Sequence, residues 1–378
     1  MTGSAPLSPL RPASGAWQEG VSPPGRRRWA TPEKPLPLES GGELPGVRLA
    51  YETWGRPAPD GSNAVLVLHA LTGDSHAAGP AGPGHPTPGW WDRLIGPGRA
   101  LDPDRWFIVA PNVLGGCQGS TGPSSFRPDG RGRWGGAFPR LTQRDQVTAE
   151  AELADALGIG AWALVIGGSM GGMRALEWAV SFPHRTRALL LLACPAAAGA
   201  EQIAWANVQV GAIRADPGWR GGHYHDAPPG HGPHTGLGLA RRLAQVTYRT
   251  EAELQARFGR SPQGDGRYQV ESYLDHHAEK LVRRFDAGSY VTLTEAMNTH
   301  DIGRGRGGTA AALRRVTAPT LVAGIDTDRL YPLSQQTELA TGIPGADHVR
   351  VIESPHGHDG FLIETDQVTP LIRELTGD

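Results

Sequence analysis

Four apolar runs without polar alternation punctuate the first half of the chain: "NAVLVLHAL" (63–71), "WFIVAPNVLGG" (106–116), "WALVIGGS" (162–169) and "RALLLLACP" (187–195). Such runs read as strands covered on both faces. "VRLAYETWG" (47–55) alternates instead and predicts an edge strand. Between the second and third runs, "LTQRDQVTAEAELADALGIG" has helical spacing, an acid-rich first half and a closing glycine. After the third, "GMRALEWAVSFP" predicts a short helix stopped by Pro183. Strands and helices alternating at these lengths imply βαβ crossovers and a mostly parallel sheet.

The pattern changes at about Ala196. As far as Arg315 no buried-strand run occurs, and segments such as "GLGLARRLAQVTYRT" and "ESYLDHHAEKLVRRFDAGSYVTLTEAMN" are helical or loop-like. Alternation resumes with "APTLVAGI", "DHVRVIES" and a closing helix "FLIETDQVTPLIREL". This predicts a flexible N-terminal arm (1–35), a core in two parts (36–195 and 316–378) and an inserted helical lid (196–315) over the carboxyl ends of the strands.

A net charge of −2 over 378 residues gives no general attraction to nucleic acid or anionic membrane, so a small-molecule partner is the expectation. Two cysteines, Cys117 and Cys194, make no disulfide framework. The first residues lack the apolar run of a secretory signal, and nothing approaches the ~20 apolar residues of a membrane span; the expected location is the cytoplasm. Two lid segments invite other readings. "GGHYHDAPPGHGPH" crowds His223, His225, His231 and His234, but its Pro and Gly residues deny helical ligand geometry, so no metal is expected. "GRGRGG" (303–308) occurs once, without interleaved aromatics, and predicts a flexible connection.

Chemistry concentrates at "LVIGGSMGG". Gly167, Ser169 and Gly171 form G-x-S-x-G between a strand and a helix, the context of a nucleophile elbow. A serine on so tight a turn needs small residues two positions to either side, and the turn aims the Met170 amide at any anion forming beside the hydroxyl. Serine also needs a base oriented by an acid, here in the order Ser, acid, His. "TLVAGIDTDRLYPL" offers Asp326 and Asp328 after a strand, and "VRVIESPHGHDGFL" offers His356 and His358 after the next. A second oxyanion donor is expected from the Leu71 amide, after the first buried strand.

Eight motifs in order, "YETWG", "HALTG", "NVLGGCQGSTGPSS", "GGSMGGMRALEWA", "DPGWRGGHY", "GLGLARRLAQVTYR", "DRLYPL" and "HGHDGFL", together resemble the homoserine O-acetyltransferase family of the α/β-hydrolases from about residue 40 onward. The resemblance implies Ser169 as nucleophile, Asp328 as acid and His358 as base. It also implies Arg241, Tyr248 and Asp359 as substrate contacts. It implies acetyl-CoA and L-homoserine as substrates, no cofactor, ping-pong acyl transfer in methionine biosynthesis, and a homodimer. A succinyl donor, a serine acceptor or plain ester hydrolysis are the alternatives on the same scaffold. Gly360 and Leu333 depart from the family pattern, which has Ala and commonly Pro there.

Overall fold

The apolar runs form the middle of an eight-stranded sheet in the computed structural model, which describes residues 11–377. Its strands are β1 (Arg28–Ala30), β2 (Leu49–Trp54), β3 (Ala64–Leu68), β4 (Phe107–Pro111), β5 (Leu164–Gly168), β6 (Leu189–Leu192), β7 (Thr320–Ile325) and β8 (Val349–Ile352). They lie in the order β1-β2-β4-β3-β5-β6-β7-β8. β2 pairs antiparallel with β1 and β4, and from β4 to β8 every pairing is parallel.

Helices α1 (Gln143–Ala156) and α2 (Met170–Ser181) precede a lid of α3 (Ala200–Arg214), α4 (His234–Tyr248), α5 (Glu251–Phe258), α6 (Gln269–Val282) and α7 (Ala287–Asn298). The chain returns through α8 (Thr309–Leu313), α9 (Leu333–Gly342), α10 (Gly360–Ile363) and α11 (Thr365–Thr376). Alternate strand residues face opposite layers. Leu66, Val165, Leu191 and Val322 pack with Val147, Leu176 and Leu339 of α1, α2 and α9, whereas Val67, Ile166, Leu190 and Ala323 pack with Trp91 and with Val368 and Ile372 of α11. A third apolar cluster joins Leu71 and Met170 to Val210, Leu237, Leu281 and Tyr290 of the lid. The lid therefore rests on the turns that follow β3 and β5. The chain leaves it earlier than the pattern suggests, since Ile302, Ala312, Leu313 and Val316 belong to the main core.

Two expectations of flexibility are corrected. The mobile arm is, over its described residues, a packed strap. Gly15 N–H donates to Phe285 O at 3.2 Å, Trp17 N–H donates to Cys117 O at 2.9 Å, and β1 takes the edge position expected for β2. Arg27 anchors it, 5 % exposed, donating to Gln118 O and Oε1 (3.0 Å each), Gly84 O (2.8 Å) and Pro24 O (3.3 Å). A few buried side chains hold the strap, and hydropathy periodicity does not register them; residues 1–10 lie outside the described part. The "GRGRGG" connection is likewise pinned, by Arg304 on Glu39 (2.8 Å) and Arg306 on Glu177 (2.5 Å). Arg27→Ala strands several buried carbonyls, so it is expected to lower unfolding free energy by about 2–4 kcal/mol, measurable by urea denaturation; an unchanged midpoint would refute the anchoring role.

Candidate active site

β5 runs into α2 through a turn that only small neighbours permit. A Cβ on Gly167 would lie 2.3 Å from the Gly171 backbone, and one on Gly171 would lie 2.1 Å from Leu68 O. Between them Ser169 adopts φ 57, ψ −124, the left-handed side of backbone space that residues with a Cβ avoid. Its N–H is held by Leu192 O at 3.0 Å. Met170 follows as the first residue of α2, so its N–H has no intrahelical acceptor. Among the described residues neither the Met170 nor the Leu71 N–H donates to any protein acceptor. Leu71 and Ser169 line one cavity of about 210 Å³.

The loop after β7 separates its two aspartates. Asp328 Oδ1 accepts from the amides of Leu330 (2.8 Å) and Tyr331 (2.9 Å), while Oδ2 receives His358 Nδ1 at 2.6 Å. Asp326 turns the other way, to the Ser354 amide at 2.9 Å. His356 faces Glu253 of α5 at 3.2 Å and does not line the cavity. With Nδ1 committed to Asp328, His358 can offer Nε2 as a base. Burial alone would lower its pKa, but the charge and hydrogen bond of Asp328, helped by Asp359, raise it above the ordinary value. Ser169 Oγ and His358 border the same cavity and are not hydrogen-bonded to each other, a gap common in serine–histidine sites before substrate arrives.

Arg241, Tyr248 and Asp359 border that cavity too. Seven residues apart on α4, Arg241 stacks over the Tyr248 ring at 5.6 Å, and Tyr248 lies 5.7 Å from the His358 ring. Arg242 points elsewhere, pairing with Asp275 at 2.6 Å. Arg241 has no carboxylate partner among the described residues, and its Nε is buried without an acceptor. Asp359, by contrast, is already engaged by Arg249 at 3.1 Å. Sequence reasoning missed Arg249 and also Arg284, a cavity residue that donates to Thr72 O at 2.8 Å. Arg249 adjoins Tyr248 and could have been suspected; nothing in the pattern around Arg284 marks it.

The histidine-rich lid loop disperses: His225 bonds Asp286 at 3.0 Å and His234 bonds Pro12 O at 2.9 Å. Among the described residues the one group with ligand-type atoms close together is Glu52, His76 and His85, within 4.8 Å of one another. Most of their atoms are already engaged, by Ser75 on Glu52 Oε1 (2.9 Å), His76 on Oε2 (3.0 Å) and the Arg26 amide on His85 Nε2 (3.0 Å), while His85 Nδ1 has no hydrogen-bond partner among the described residues. The two rings stack 3.9 Å apart at 12°, so no ion could lie in both ring planes.

Comparison with known proteins bears on what this geometry does. Residues 63–365 match the family model for the alpha/beta hydrolase fold. The chain is 68% identical to the homoserine O-acetyltransferase of Thermobifida fusca (97% of this chain, 98% of that one). It is 59% identical to that of Clavibacter michiganensis (96% and 95%) and 56% identical to that of Mycobacterium tuberculosis (90% and 91%). Among solved structures, homoserine O-acetyltransferase from Bacillus anthracis superposes with TM-score 0.83 at 26% identity, covering 93% of this chain and 97% of that one. An acetylester hydrolase from Corynebacterium glutamicum gives 0.80 at 28% identity (94% and 97%).

Replacing Asp328 by Asn removes the carboxylate that orients His358. Acylation by para-nitrophenyl acetate is expected to slow about 10⁴-fold. His358 must be neutral to accept a proton, so native acylation is expected to fall as pH drops through a midpoint above 6.5. In Asp328→Asn, with burial left to dominate, that midpoint moves down; a midpoint unmoved by the substitution would contradict the pairing.

Proposed function

The chain belongs to the homoserine O-acetyltransferase family of the α/β-hydrolases, and we propose that it moves an acetyl group from acetyl-CoA to the L-homoserine hydroxyl in methionine biosynthesis. His358 takes the proton of Ser169 Oγ as the oxygen attacks the thioester carbonyl. The amides of Leu71 and Met170 hold the resulting oxyanion. The tetrahedral centre collapses to acetyl-Ser169, and His358 returns the proton to the departing CoA sulfur. Homoserine then enters, His358 accepts its hydroxyl proton, the oxygen takes the acetyl group, and His358 returns the proton to the departing Ser169 Oγ. No cofactor enters these steps.

Arg241 carries the assignment of the acceptor. An unpaired guanidinium beside a serine nucleophile is a poor fit to a neutral ester and a good fit to a carboxylate held as a bidentate pair. Asp359, with one oxygen drawn to Arg249, supplies the negative charge for the ammonium group. Tyr248 packs against both Arg241 and His358, which supports an acceptor held at Arg241 and served by that base.

The test is release of CoA thiol from acetyl-CoA or succinyl-CoA with homoserine, serine or no acceptor. Turnover is expected with acetyl-CoA and homoserine, is lost in Ser169→Ala, and shows a raised homoserine KM in Arg241→Met. Preference for succinyl-CoA or for serine would overturn the substrate assignment. Fast hydrolysis indifferent to homoserine would favour the esterase reading that the Corynebacterium neighbour suggests.

The reading extends to a homodimer in the cytoplasm. Among the described residues no helix is long and apolar enough to cross a membrane. α3 and α4, packed on each other, expose Ile203 (40 %), Val208 (56 %) and Leu239 (45 %), an apolar face suited to a second copy. Sedimentation is expected to give a dimer, and Val208→Asp a monomer; a monomeric native chain would exclude this interface.

A further inference from the structure

Leu71 and Met170, the two oxyanion donors, stand on separate elements, and their spacing is not set by covalent connection. Leu71 belongs to the turn after β3, while Met170 opens α2. One side chain joins the two. Arg174 lies four residues beyond Met170 on the same face of α2. Its Nη2 donates to His69 O at 2.6 Å, and its Nη1 donates to Glu150 Oε1 of α1 at 2.5 Å. Glu150 Oε2 in turn receives Trp178 Nε1 at 2.8 Å, so both carboxylate oxygens are engaged. Arg174, Glu150 and Trp178 are at most 1 % exposed.

The turn held in this way is itself closed by hydrogen bonds. His69 Nε2 accepts the Val113 N–H at 3.1 Å, so the ring proton sits on Nδ1 and is donated to Ala70 O at 2.7 Å. The Gly73 N–H donates to the same oxygen at 2.9 Å. With the carbonyls of His69 and Ala70 engaged, the Leu71 N–H is left at the cavity wall.

We infer that Arg174 is a positioning residue that locks the His69–Leu71 turn to the nucleophile helix and so fixes the distance between the two oxyanion donors. A buried ion pair is weak evidence of stabilisation, because apolar residues of equal volume could join α1 to α2 as well. What they could not supply is the second arm of the guanidinium on His69 O, which lies in the peptide plane next to that of the Leu71 amide. The inference rests on the acetyl-Ser169 reading above.

The experiment compares the native chain with Glu150→Leu/Arg174→Met, which removes both charges while keeping volume, and with Val368→Ala, a core change on the opposite face of the sheet. Stopped-flow acylation by acetyl-CoA is expected to slow about 10–100-fold in the double variant, a fraction of what loss of a whole oxyanion donor costs. The donor KM is expected to stay within about threefold, because oxyanion donors act on the transition state rather than on bound substrate. The infrared carbonyl band of acetyl-Ser169 should move to higher wavenumber as its hydrogen bonds weaken. Val368→Ala should leave rate and band at native values even where its melting temperature falls as far. If the double variant keeps the native rate and band, or if Val368→Ala reproduces its defects, the inference is overturned. Should the double variant not fold, Arg174→Lys, which keeps a cation on Glu150 without the fork, carries the same expectation, and a native rate and band there overturn it. A native chain that never forms the acyl-enzyme instead refutes the reading beneath.

Discussion

The contact between β5 and α2 at Gly167 and Gly171 is the constraint on which the site depends. Because those two backbones nearly touch, the chain between them has room only for a sharp, strained turn, and Ser169 is presented at its tip. The same contact makes Met170 the first residue of a helix, with an N–H no helical carbonyl can reach. A second close approach, of Gly171 to Leu68 O, sets α2 against the end of β3, which carries the Leu71 turn. The strained turn at Ser169 and the free amide of Met170 are thus consequences of one close approach, stabilised by the packing of α2 against the sheet core.

The rest of the site is brought to that point by the carboxyl ends of β7 and β8 and by the lid. Asp328 and His358 sit on adjacent loops because their strands are neighbours in the sheet. The lid adds Arg241 and Tyr248, and its apolar underside packs directly on Leu71 and Met170. That arrangement roofs Leu71 and Met170 beside the cavity that Ser169 and His358 line.

Much of this was legible in the sequence, for identifiable reasons. Buried parallel strands have no polar face, so their runs are unmistakable, and G-x-S-x-G between a strand and a helix reflects the backbone contact itself. The residues alone left Asp326 with Asp328 and His356 with His358, since both members of each pair follow the right strand; loop geometry separates them, with Asp326 turned to Ser354 and His356 to Glu253. The strap escaped because Arg27 anchors it from one buried position, with no period to read. Arg284 and the Glu150–Arg174 pair escaped because charged residues in helical segments read as solvent-facing until tertiary contacts are known. Gly360, one of the departures from the family pattern, finds its reason in space: a Cβ there would lie 2.9 Å from Ile325.

The central claim is that Ser169 carries the acetyl group between the two substrates. Mixing the protein with acetyl-CoA in the absence of acceptor, quenching in acid and mapping peptides by mass spectrometry tests it directly. The account predicts one acetyl group on the peptide containing Ser169, discharged when homoserine is added before the quench. Steady product formation with that peptide unmodified throughout, or with the acetyl group on another residue, would contradict it.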